Sequence, residues 1–105
     1  MKTRLALAAL LVASPLAFAS GDPSVGKKKS TTCATCHGAE GVSPSPEFPN
    51  LAGQYADYLE SAMKHYKNGK RKNPIMAEQV KALSGKDMMD LAAYFASQRG
   101  LQTKY

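Results

Sequence analysis

Only two of the 105 residues are cysteine and only two are histidine, and after residue 20 no apolar run approaches the length that crosses a bilayer. Each scarcity narrows the field. A transmembrane helix needs about 20 consecutive apolar residues, so residues 20 onward are expected to make no stable membrane insertion. Two cysteines close at most one disulfide, which excludes a disulfide-dense scaffold. The basic residues are not interleaved with base-stacking aromatics, so no nucleic-acid partner is expected. No stretch of β-branched residues reads as a convincing strand, and a thioredoxin-like βαβ setting for the cysteines is therefore missing.

What is present is a chain 44% hydrophobic and 21% charged, the balance of one small globular domain. Its first residues read differently. Lys2 and Arg4 precede an apolar stretch from Leu5 to Val12, and Ala17-Phe18-Ala19 offers a small-x-small cleavage pattern. Residues 1–19 are accordingly expected to be a cleaved export signal, and residues 20–105 the working domain with a periplasmic destination. Beyond residue 19, twelve basic residues stand against eight acidic ones, a mild excess that suits solubility. A domain of this size buries about 60–65% of its unfolded surface, so it needs a stabilising element beyond one disulfide.

Both cysteines lie in Cys33-Ala34-Thr35-Cys36-His37. C-x-x-C-H is the attachment signature of c-type haem. Thiols at i and i+3 share one helical turn and can add to the two haem vinyl groups, while the adjoining imidazole points at the iron. Competing chemistries fit less well. Zinc would need a fourth ligand, and the other histidine, His65, is far along the chain. A disulfide across two residues closes a very short loop and adds little stability. One covalent haem c is the expected cofactor, with Cys33 and Cys36 as tethers and His37 as an iron ligand. The haem also supplies the large apolar surface that the domain lacks.

Periodicity and turn residues lay out an all-α chain. Asp22-Pro23 caps and opens a helix expected to run toward Cys33. Gly38, Gly41, Pro44, Pro46 and Pro49 predict an extended loop from Gly38 to Pro49. Tyr55, Leu59, Ala62 and Tyr66 share one face of a helix from Gln54 to about Asn68, ended by Gly69. Pro74 opens a short helix carrying Ile75, Met76, Val80 and Leu83. Ser84 and Asp87 form a capping pair for a last helix reaching about Gln98, before Gly100.

Taken in order, five segments resemble a class I cytochrome c, and within that class a single domain of the c-four type of small periplasmic cytochrome. They are Gly26-Lys27, Cys33 to Gly38, Pro49-Asn50-Leu51-Ala52-Gly53-Gln54, Asn73-Pro74-Ile75-Met76 and Leu91-Ala92-Ala93-Tyr94-Phe95. The similarity covers nearly all of Gly21 to Gln98. It implies three to five helices wrapped around one haem, a close crossing of Gly26 under Tyr94, and a hydrogen bond from His37 Nδ1 to the Pro49 carbonyl. Lys27, Lys28 and Lys29 stand in a row where related chains keep an apolar residue, which leaves the first helix little apolar surface with which to dock.

The second axial ligand has five candidates, Met63, Met76, Met88, Met89 and His65. Met63 and His65 fall about 80° to either side of the apolar face and read as flank or surface residues. Met88 lies one turn from Leu91 and Ala92, a core position, and Met89 is nearer the polar side. Met76 follows Pro74 at a loop–helix junction, where the chain can close over the open haem face; a plain core methionine is the alternative. The matching Asn73 to Met76 segment implies ligation. A thioether ligand raises the reduction potential relative to a second histidine. Leu51, Tyr55, Leu59, Ile75, Leu91 and Phe95 are candidate haem walls, each equally suited to helix–helix core.

Iron held on both sides by protein has no open position, so the expected activity is outer-sphere one-electron transfer. The chain then serves as a monomeric periplasmic carrier and not an enzyme, in a respiratory or related chain. Its expected partners are an upstream dehydrogenase or cytochrome complex and a downstream oxidase or reductase. Docking is expected to be brief, around a haem edge fringed by Lys70, Lys72 and Lys81. Two alternatives stay open. One is a haem catalyst or gas sensor, against which stands the lack of a polarising side chain near Met76 other than Arg71. The other is a relay subunit of a larger oxidoreductase.

Overall fold

The computed structural model describes residues 21–100. The expected export signal, residues 1–19, lies outside the described residues. Five helices follow in order, α1 (Pro23–Lys29), α2 (Thr31–His37), α3 (Ala56–Asn68), α4 (Pro74–Val80) and α5 (Gly85–Ser97), with no strand among the described residues.

The chain enters α1 as its first residues dictate. Asp22 is extended, its carboxylate accepts the Ser24 N–H at 2.9 Å, and proline takes the first helical position. The expected single helix to Cys33 is instead two. Ser30 is buried and its hydroxyl donates to the Lys27 carbonyl at 2.7 Å, which closes α1; its own carbonyl accepts the Ala34 N–H at 2.8 Å, which opens α2. A serine that competes for backbone acceptors is a local helix breaker. The break separates the segment that docks from the segment that carries the cysteines.

Docking of α1 onto α5 is set by a glycine and by charge. A Cβ at Gly26 would overlap the Asp90 carbonyl and stand 2.8 Å from the Tyr94 Cβ, so only glycine permits the crossing implied for this position. Lysine supplies what an apolar side chain would otherwise give. Asp90 of α5 is only 1% exposed, and its carboxylate accepts the Asp22 N–H at 2.8 Å and the Lys29 and Lys86 ammonium groups at 2.9 Å each. Lys29 also pairs with Asp87 at 2.6 Å. The polar helix thus docks through Lys29, which turns inward, while Lys27 and Lys28 stay exposed.

The remaining helices are capped largely as expected. α3 starts at Ala56 and not at Gln54, because Tyr55 holds the extended cap position and offers no side-chain acceptor; Gly69, at φ +85°, ends it. Asn73 caps α4 by accepting the Ile75 and Met76 N–H groups at 3.0 and 3.1 Å; the helix ends at Val80, so Leu83, expected on it, lies beyond it in a turn whose Leu83 N–H donates to the Val80 carbonyl at 3.0 Å. Ser84 and Asp87 exchange reciprocal bonds at 3.1 and 2.9 Å to start α5.

Leu59 of α3 meets Leu91, Ala92, Tyr94 and Phe95 of α5 in the main apolar cluster, against which Cys33, Leu51, Met63 and Leu83 pack. Met63 is half-buried against this cluster, as a flank residue of α3 would be. Leu59 is the buried residue of α3 and Met63 lies one turn on beside it, while Tyr55 stands 79% exposed. Tyr55, expected on the apolar face, instead caps the helix and faces outward.

Two predictions come from this packing. Met88 is 4% exposed, so Met88→Ala should lower the unfolding free energy by about 2–4 kcal/mol in denaturant titrations. The second concerns acid. The Asp22 N–H, then Lys29 and Lys86, hold the Asp90 carboxyl well below the usual range, and Lys29 with the Ser84 cap holds Asp87 at about 2. Both groups bind protons less readily folded than unfolded, where an aspartate titrates near ~4. Their contribution is complete above about pH 4 and is lost as pH falls, for Asp87 through about 2. Asp90→Asn should lower the thermal midpoint at neutral pH and flatten its fall between pH ~4 and ~2; an acid limb as steep as that of the wild type would contradict this assignment.

Candidate functional site

The last turn of α2 carries the chemistry. Cys33 and Cys36 are half-buried free thiols one turn apart, and burial pushes the Cys33 thiol up. Cys33 rests against the Leu59/Leu91/Phe95 cluster, so the attachment turn and the hydrophobic core form one continuous surface. His37 is 6% exposed, and its Nδ1 lies 2.8 Å from the Pro49 carbonyl oxygen. A carbonyl only accepts, so Nδ1 carries the proton and Nε2 keeps its lone pair for a metal. Phe48 packs edge-on to the imidazole, with ring centroids 6.5 Å apart. Sequence reasoning missed Phe48, although it is the one aromatic in the proline-rich loop and immediately precedes Pro49.

The loop between His37 and Pro49 is folded back on itself, which corrects the expectation of an extended segment. Gly38, at φ +83°, ends α2, and the Gly41 N–H donates to the Gly38 carbonyl at 3.0 Å. The Gly41 carbonyl then accepts the N–H groups of Leu51 and Ala52 at 2.8 and 3.0 Å. Glycine and proline fix where the chain turns; these cross-loop bonds fix how far it travels. Tyr94 adds a tether from α5, its hydroxyl donating to the Ala39 carbonyl at 2.7 Å. The residue that meets Gly26 on one side thus steadies the turn after His37 on the other.

The six candidate wall residues divide by burial. Leu59, Leu91 and Phe95 belong to the buried cluster and Leu51 packs against it. Tyr55 and Ile75 are 79% and 59% exposed, so neither is helix–helix core. Met76 is half-buried in the first turn of α4. Arg71 lies over the Tyr66 ring at 4.7 Å, with one guanidinium nitrogen 3.5 Å from the Tyr58 hydroxyl. Lys70, Lys72 and Lys81 are exposed.

A family model described as cytochrome c oxidase, cbb3-type, subunit III matches residues 26–95. The chain belongs to this family of c-type cytochromes. It is 49% identical over 84 residues to cytochrome c4 of Pseudomonas aeruginosa, covering 80% of this chain and 42% of that relative. It is 44% identical over 82 residues to cytochrome c-554(548) of Halomonas halodenitrificans, covering 75% of this chain and 99% of the relative. The cytochrome subunit of sulfide dehydrogenase from Chlorobaculum tepidum is 34% identical over 104 residues, covering 89% and 94%. Among solved structures, reduced recombinant cytochrome c4 from Pseudomonas stutzeri superposes with a TM-score of 0.74 at 40% identity, covering 78% of this chain and 48% of that one. The chain thus spans less than half of these cytochrome c4 relatives and nearly all of cytochrome c-554(548).

The fold is that of a class I cytochrome c, and the cofactor is haem c. The side chains fit it. Two free thiols one turn apart match two vinyl groups, a buried imidazole presents a free Nε2, and the apolar cluster reaches Cys33. Replacing Cys33 and Cys36 together with alanine should leave little holoprotein when the chain is exported in a host with c-type maturation. A haem stain on a denaturing gel measures it; the wild type should keep its haem through denaturation.

Proposed function

We propose that this cytochrome is a one-electron carrier of the periplasm, in a respiratory or related chain, with its iron held between His37 and Met76. The observation that carries the proposal is the buried His37 imidazole, committed through Nδ1 to Pro49 and free at Nε2. Bound haem c supplies a reversible ferric/ferrous couple. The protein supplies orientation and exclusion. The Pro49 bond fixes the tautomer of His37 and strengthens Nε2 as a donor to a metal, while the core around Cys33 keeps water from one side of the site.

Support for Met76 comes from where the other methionines are. Met88 is buried in the core and Met63 packs with Leu59, so both have structural partners. Met76 sits where Asn73 and Pro74 start α4, a short helix braced against α3. A soft thioether suits both oxidation states of iron and favours the ferrous one. Arg71, the one candidate for polarising a bound oxygen species, is already engaged with Tyr66 and Tyr58. That favours a carrier over a catalyst.

Location and partners follow the same pattern. No helix among the described residues is long and apolar enough to cross a membrane, and residues 1–19 have the features of an export signal. Lys70, Lys72 and Lys81 are exposed just before and just after α4, where they favour brief docking of acidic redox proteins. A second reading, a relay subunit held by a dehydrogenase, is favoured by the sulfide dehydrogenase cytochrome subunit that matches over 94% of its length.

Replacing Met76 with alanine tests the ligand assignment. It should abolish the weak long-wavelength sulfur-to-ferric absorption band, lower the reduction potential and admit cyanide or imidazole to the iron. Met89→Ala should leave all three unchanged, and Met63→Ala should cost stability with the spectrum intact. Loss of the band in another methionine variant, with Met76→Ala retaining it, would overturn the assignment.

A further inference from the structure

The Pro49 carbonyl can orient His37 only if the loop holds it still. Pro44, Pro46 and Pro49 contribute no N–H groups with which to do so. The returning limb is fixed to the outgoing limb at two levels. The inner level is the Gly41 carbonyl, which takes the Leu51 and Ala52 N–H groups. The outer level is a side chain: Asn50 Oδ1 accepts the Ser43 N–H at 2.6 Å. Asn50 directly follows Pro49, so this bond acts on the peptide unit whose oxygen faces His37. The Ser43 hydroxyl is not the link. It has one proton, and the Ser45 carbonyl at 2.7 Å outcompetes the Cys36 carbonyl at 3.3 Å.

Pro49 and Asn50 are both exposed. Without the bridge, water competes with His37 for the carbonyl. We infer that Asn50 is a positioning residue for the redox centre: its side chain, by holding the Ser43 amide, keeps the Pro49 carbonyl on His37 Nδ1 and so sets how strongly the imidazole donates to iron. A firmly hydrogen-bonded imidazole is the stronger donor and favours ferric iron, so a loosened loop raises the reduction potential. This rests on His37 being the proximal ligand.

The test uses the intact holoprotein. Asn50→Ala should raise the midpoint potential and speed exchange of the His37 Nδ1 proton, followed by proton magnetic resonance, about tenfold, the upper range for one lost hydrogen bond. Asn50→Asp keeps an acceptor and should restore slow exchange. Ser43→Ala keeps the amide and should match the wild type in both readings. Unchanged potential and exchange in Asn50→Ala, or a Ser43→Ala variant that behaves like it, would overturn the inference. The wild type provides a check that needs no variant. Its Ser43 amide should be protected alongside the Nδ1 proton, and a Ser43 amide exchanging freely while Nδ1 stays protected would also overturn it. Failure of the ligand assignment itself is seen separately, as a wild-type spectrum without histidine–methionine features.

Discussion

The hydrogen bond from His37 Nδ1 to the Pro49 carbonyl is the contact through which the rest of the structure acts on the site. It joins the last residue of α2 to the far end of a loop and fixes which ring nitrogen keeps a free lone pair. Around it the fold supplies rigidity from both directions. Gly26 lets α1 approach α5 closely enough to seat Tyr94, and the Tyr94 hydroxyl holds the Ala39 carbonyl in the turn that leaves His37. Gly41 then gathers the returning limb so that Pro49 arrives opposite the imidazole.

Small size explains why so much depends on so few contacts. The buried apolar cluster has five members, and it is completed by Cys33, one of the two haem-bearing residues. Core and cofactor site are therefore a single hydrophobic surface, and binding of the cofactor stabilises the fold that binds it. Where α1 lacks apolar side chains, the buried Asp90 carboxylate takes their place with three donors. Removing any one donor would leave charge under-satisfied in a place water scarcely reaches, which is costly.

Local chemistry made much of this legible in the sequence. Ser84 with Asp87, Pro74 and Gly69 mark helix ends through backbone rules that need no tertiary context, and α5, the start of α4 and the end of α3 lie where those residues put them. The cysteine–histidine spacing carried the cofactor for the same reason. What was not legible depended on partners distant in sequence. Ser30 is the local exception: buried, it splits the first helix by bonding backward to Lys27. Lys29 reads as solvated until Asp87 and Asp90, some sixty residues on, are brought beside it. Phe48 was missed because only the folded loop sets it against His37.

The site as a whole is read as a closed redox centre: a tethered haem, a histidine of fixed tautomer, and a methionine held by a capped short helix. A potentiometric titration of the wild-type holoprotein, followed by absorption from the visible to the near infrared, tests that reading most directly. The account predicts one reversible single-electron transition between a low-spin ferric form bearing the sulfur-to-iron band and a ferrous form that is slow to bind carbon monoxide. A high-spin ferric spectrum without that band, or rapid capture of carbon monoxide by the reduced protein, would contradict it.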